Sequence, residues 1–177
     1  MAAFSWANWT NKLLQTSGYK EMRADASGER AETGKTPMSE QDAVLFANDA
    51  FYAAFHERDF DAMIRVWSAN QPVSCTHPGW QTLDGLESVL ESWNAILTNP
   101  QAPVIKCRAR RAAIYGSTAV VTCIEELEAE GDEQEFLAAT NIFVKEGSLW
   151  LMVHHQAGPV HVDIEVFEGE EEPPALN

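Results

Sequence analysis

Among the residues able to do chemistry, Glu125 has the most telling surroundings. Ala119, Val121, Cys123 and Leu127 alternate with polar and apolar neighbours, and Glu125 falls in the same alternate set. Alternate side chains of a strand face the same way. A strand here would put a lone carboxyl on an apolar face, where desolvation disfavours the charge and raises the pKa. That is how an acid or base becomes poised near neutral pH. The residue reads equally as a rim carboxylate, or as the partner of Arg108 or Arg110 on a neighbouring strand. His77 ends a short β-prone run just before Pro78-Gly79. It is placed to act as acid, base or hydrogen-bond donor, or to bond its own turn. His154 and His155 are adjacent, so in a regular strand only one enters a pocket. His154 would share its face with Trp150 and Met152, His155 with Leu151 and Val153, and parity alone does not choose. Asn141 shares a face with Phe143; its amide would bind a ligand carbonyl or link two strands. Trp67, Trp80 and Trp93 suit a core or a cavity wall.

Other chemistries find little support. His77, Glu125, His154 and His161 lack metal-ligand spacing apart from His161-Val-Asp163, so no zinc site is expected. There is no glycine-rich phosphate loop, no Gly-x-Ser-x-Gly elbow and no dinucleotide fingerprint. No cofactor is therefore expected. Cys75, Cys107 and Cys123 are far apart in apolar runs and read as small buried hydrophobes in a reducing compartment.

The elements that must position these residues follow from periodicity. Phe4, Trp6, Trp9, Leu13 and Leu14 suggest a short amphipathic helix, followed from Ser17 to Pro37 by a polar linker. Ser39 with Asp42 resembles a capping box opening a helix to about His56, with Val44, Phe51 and Phe55 on one face. Asp59 caps a second helix bearing Phe60, Met63, Ile64 and Trp67. Asp84 is expected to cap a third, striped by Leu86, Val89, Leu90, Trp93, Ile96 and Leu97 and stopped at Asn99-Pro100. From Pro103 the period becomes that of strands, at 103–115, 118–130, 134–146 and 148–156. They are joined by tight turns that make neighbours antiparallel. Helices first and a meander afterwards is an α+β order. A further edge strand is read at 161–167, then an acidic tail to Asn177. The organisation expected is an extension over 1–37, a domain over 38–160, and a strand and tail over 161–177.

The chain of 177 residues carries a formal net charge of −15. Such a balance repels phosphate backbones and anionic membrane surfaces, so neither nucleic acid nor membrane is expected as a partner. No apolar run reaches the length of a membrane span, and the first residues lack a signal peptide's pattern. A cytoplasmic location is the expectation.

Several local runs carry a family resemblance. Cys75-Thr-His77-Pro-Gly-Trp80, Leu83-Asp-Gly85, Val89-Leu-x-x-Trp93, Ala139-Thr-Asn141-Ile-Phe143 and Trp150-x-x-Val-His154-His155 resemble the SnoaL-like subgroup of the NTF2-like superfamily, over residues 40–160. The resemblance implies a cone-shaped, curved antiparallel sheet with three N-terminal helices on its concave face. It also implies a conical cavity and a homodimer through the outer sheet face. It implies no single activity, since members include isomerases, cyclases, dehydratases, binding domains and oligomerisation modules. By this analogy His154, rather than His155, enters the pocket. In many relatives a further histidine and a serine close the last strand; here Gln156 and Gly158 stand there. The isomerase's catalytic tyrosine and aspartates have no local motif match.

Two readings follow. In the first, a small hydrophobic carbonyl compound is isomerised, cyclised or dehydrated without a cofactor. Glu125 or His77 moves the proton, Asn141 and His154 polarise the carbonyl, and Trp67 and Trp93 wall the cavity. In the second, the interior is plugged by side chains and the domain is a non-enzymatic dimerisation or protein-interaction module. An open, partly polar cavity containing Glu125 favours the first, a plugged one the second.

Overall fold

The structure is a computed structural model and describes residues 38–128 and 135–161. The readings made for residues 1–37, 129–134 and 162–177 lie outside the described residues. Helix α1 spans Glu40–His56 and opens where Ser39, in an extended conformation, accepts the Asp42 N–H at 3.1 Å. Asp59 does the same for α2, Phe60–Val66, accepting from the Ala62 N–H at 2.9 Å.

The third helix starts differently from expectation. Asp84 is drawn into the short strand β2 (Leu83–Asp84), which pairs with β1 (Ser74–Thr76). Gly85 is the N-cap of α3 (Leu86–Thr98), with φ of 89° and no side-chain cap bond. Only glycine takes that backbone angle cheaply, so the turn from strand to helix is made by conformation rather than by a carboxylate.

The remaining strands are β3 (Ile105–Tyr115), β4 (Thr118–Leu127), β5 (Glu135–Glu146) and β6 (Leu149–Pro159). Consecutive members pair antiparallel, and the full sheet runs β2-β1-β6-β5-β4-β3. The expected all-antiparallel sheet is corrected at one point: β1 pairs with β6 in parallel. The strand returning at the end of the meander lies beside a strand made before it began, and both run the same way. The result is a mixed six-stranded sheet. The helices pack against it through Val44, Phe51, Phe55, Trp93 and Ile96, which meet Val121, Leu137, Phe143 and Met152 in one buried cluster. Burial of that apolar surface is the main stabilising term.

Two irregularities in the ladders matter for the site. In β3 one extra residue enters between Arg108 and Arg111, with Ala109 at a φ of 50°. In β6 the register jumps at Val153, since Ile142 faces His154 while Phe143 faces Met152. Before the jump β6 is bordered by Trp67 and Ser68, and after it by β1. The extra residue sits where one neighbour gives way to the other. Such bulges re-aim the side chains that follow.

Candidate functional site

The β6 bulge decides which histidine points inward. Trp150 and Met152 are buried before it, and His155 and Ala157 after it. Without the extra residue His154 would have continued the inward set; with it, His155 does. The expectation for His154 is thereby corrected. His154 lies half-buried on the outer face, 2.8 Å from the Ser74 hydroxyl.

Parity on β4 holds. Ala119, Val121, Cys123, Glu125 and Leu127 are all buried. Glu125 is only 3% exposed and pairs with neither arginine. Arg108 bonds Glu126 at 3.0 Å, and Arg110 turns across the β3 bulge to Asp49 of α1 at 3.0 Å. Glu125 instead accepts a hydrogen bond from the Tyr52 hydroxyl at 2.8 Å. Burial pushes its carboxyl up to about 7, and the Tyr52 bond partly opposes the rise.

Behind Glu125 a chain of amides fixes His155. The Asn141 amide nitrogen donates to the Asn48 side-chain oxygen at 2.8 Å and, more weakly, towards the Tyr52 oxygen at 3.4 Å. Its own side-chain oxygen therefore accepts from His155 Nδ1 at 2.7 Å. That assigns the proton of His155 to Nδ1 and leaves Nε2 as a lone-pair acceptor. Burial, then the neighbouring imidazoles, holds His155 well below its ordinary pKa, so it is neutral. His77 is fixed in the opposite sense. The Ser92 hydroxyl donates to the Val89 carbonyl at 2.7 Å, so it accepts from His77 Nε2 at 2.9 Å. Burial pulls His77 down to about 3. The ring thus anchors the β1 end to α3 and carries no charge.

Aromatic rings complete the wall. Phe51 lies 5.2 Å from Trp93 and 5.0 Å from His155, and Trp93 lies 5.5 Å from His155. The cavity they bound with Tyr52, His77 and Glu125 has a volume of about 10 Å³. That is on the scale of a single water. Trp93 is in its wall, as expected, and its indole N–H finds no partner among the described residues. Trp67 is not: it is buried beside β6, bridging to Met152. Asn141 is also outside the wall, acting one layer back on His155 and Tyr52.

The order of elements, the bent sheet and the inward set now bear on kinship. The profile of the SnoaL-like domain family matches residues 44–161, two thirds of the chain. This chain belongs to the SnoaL-like family. Its fold is that of the NTF2-like superfamily. A candidate dehydratase of the NTF2-like family from Streptomyces avermitilis is similar at 30% identity and a TM-score of 0.62, over 70% of this chain and 97% of that one. A candidate calcium/calmodulin-dependent protein kinase type II association domain from Thiobacillus denitrificans is similar at 31% identity and a TM-score of 0.58, over 65% of this chain and 93% of that one. The F-box protein SKIP8 of Arabidopsis thaliana is 28% identical over 121 residues, which is 68% of this chain. The chain spans about half the length of that relative, 51%.

Within this SnoaL-like domain the structure brings Glu125, His77 and Trp93 to one cavity and leaves His154 and Trp67 outside it. Two residues of this buried network escaped the sequence reading, Asn48 and Tyr52. Both stand one helical turn apart inside the apolar stripe of α1. Polar residues at i and i+4 within such a stripe must find buried partners, and that was the available signal. Among the described residues no group of three or more metal-ligating side chains is assembled. No described helix is long and apolar enough to cross a membrane.

Proposed function

We propose that this SnoaL-like domain is an assembly and interaction module, and that its outer sheet face receives a second copy. The observation that carries the reading is the small volume left beside Glu125 among the described residues. A cavity of about 10 Å³ has no room for a hydrophobic carbonyl compound. The polar groups around it bond one another: Tyr52 to Glu125, Asn141 to Asn48 and His155, and His77 to Ser92. Outside, Val120, Ile124, Ile142, Val144 and Leu151 form a half-buried apolar row across three strands. Apolar surface of that kind favours burial against another chain. The similarity to a kinase association domain supports the same reading. Sedimentation velocity tests it. The native chain is expected to sediment as a dimer or larger, and Ile142→Asp as a folded monomer. A native chain that stays monomeric at high concentration would overturn the proposal.

One observation favours a second reading. A buried carboxyl held near pH 7 beside a neutral imidazole is an arrangement used for proton transfer. In that reading Glu125 is the acid or base, and the walls open to admit substrate. Turnover of any carbonyl compound that vanishes in Glu125→Gln, with the fold intact, would establish it.

A further inference from the structure

The hydrogen-bond directions around the cavity prescribe what it can hold. His155 gives its only proton to Asn141, so its other ring nitrogen offers a lone pair. His77 gives its only proton to Ser92. Glu125 receives one bond, from Tyr52 to Oε1, and no described residue donates to its second oxygen. Around these acceptors stand the rings of Phe51, Tyr52 and Trp93. A carboxyl, an imidazole lone pair and aromatic rings together suit a guest that donates hydrogen bonds and carries positive charge. The volume of about 10 Å³ restricts that guest to the size of one water.

We propose that the cavity beside Glu125 is a binding site for one small hydrogen-bond-donating cation, an ammonium ion. The cation donates to the free Glu125 oxygen and to His155 Nε2, and the rings stabilise its charge. Water donates equally well but brings no charge to meet the carboxylate. The site does not depend on the assembly reading and stands whether the domain is a monomer or a dimer.

Binding is coupled to the charge state of Glu125. The titratable groups around it are Tyr52 from α1, Cys107 from β3, Cys123 on its own strand, Cys75 and His77 from the β1 end, and His155 from β6. The Tyr52 phenol and the Cys75 and Cys123 thiols are held above their ordinary values, and both histidines below theirs. Of these shifted groups and Glu125, it is Glu125, at about 7, that titrates between pH 5 and 8. A cation selects the ionised carboxylate, so its apparent affinity rises with pH by about tenfold per unit below the Glu125 pKa and levels above it. A neutral or anionic guest held by donors, such as the Trp93 N–H, would select the protonated acid and weaken as pH rises.

The test is calorimetric titration of the full chain with ammonium chloride at constant ionic strength, from pH 5 to 8. Sodium and tetramethylammonium chloride serve as controls. The expected result is saturable binding of ammonium, absent for both controls, tightening with pH, and weakened at least tenfold in Glu125→Gln. The proposal is overturned by no saturable binding of ammonium, by affinity that falls as pH rises, or by a folded Glu125→Gln chain that binds as tightly as the native one. Should that variant not fold, the pH dependence of the native chain decides alone.

Discussion

Two polar regions of this domain use similar residues to opposite effect. Along the outer edge strand β3, Lys106 meets Glu128 at 2.8 Å, Arg108 meets Glu126 at 3.0 Å and Arg110 meets Asp49 at 3.0 Å. These pairs keep a third to a half of their side-chain surface in water, apart from Glu126, which is more covered. Inside, Asn48, Tyr52, Glu125, Asn141 and His155 form a network that is almost wholly covered and carries no charge below about pH 7. Water competes for every bond of the first set and for few of the second. An exposed ion pair contributes on the order of 0–1 kcal/mol, whereas a buried group left unpaired costs about 1–3 kcal/mol. Breaking a surface pair therefore costs little, and breaking a bond of the covered interior costs more.

The largest break in this contrast is expected from Asn141→Ala. It strips a partner from His155 and another from Asn48 at once, so urea unfolding should register a loss of about 3 kcal/mol or more. A loss as small as that of a surface pair would mean that water already reaches the network.

The next effect is on the pH profile, where the two buried histidines and Glu125 oppose one another. His77 falls from an ordinary 6.5 to about 3, and His155 falls as well. In acid the unfolded chain takes up protons that these rings refuse, so their contribution is full above pH 6.5 and is lost as pH falls below it. Glu125 rises from an ordinary 4.5 to about 7. Its contribution is full below pH 4.5 and is lost as pH rises towards 7, because the unfolded chain ionises first. Between pH 4.5 and 6.5 the His77 and Glu125 slopes offset one another, so the rise in stability there comes from His155, and a decline follows to about 7. Thermal unfolding across this range should show a maximum near pH 6.5, and Glu125→Gln should remove the decline above it. A flat profile would deny that these groups are buried in the folded state.

Tyr52→Phe sharpens the comparison at a single bond. It removes the donor that holds Glu125 down, so the carboxyl should titrate higher, read by carbon NMR of the glutamate side chain. Stability should fall by about 1–2 kcal/mol. At the other extreme Lys106→Ala should cost about 0.5 kcal/mol or less, and that loss should shrink further in high salt. A cost equal to that of Tyr52→Phe would erase the distinction between surface and interior.

Much of the frame is legible in the sequence because it rests on local rules. Ser39 and Asp59 cap their helices through side chains next to them in the chain. The alternation of β4 puts Glu125 inside because that strand runs without a bulge. What was not legible depends on distant neighbours. The parity of β6 breaks at Val153 because the strand changes its bordering segment there, and nothing in the local run His154-His155 signals that change. The parallel pairing of β1 with β6 joins segments some 80 residues apart, Ser74 with His154, and short turns say nothing about it. Glu125 could not be matched with Tyr52 in advance, because the helix that supplies the hydroxyl lies 73 residues upstream. Asp84 shows the same lesson in miniature, since a good capping residue was taken by a strand pairing.

The most direct test of the central claim, that the interior serves the fold rather than a substrate, is a titration of tryptophan fluorescence with a panel of hydrophobic carbonyl compounds. Trp93 stands in the cavity wall and should report any guest there. The account predicts no saturable response from the native chain or from Glu125→Gln. Saturable quenching by one chemical class, lost in the folded variant, would contradict it and return Glu125 to the role of a reacting group.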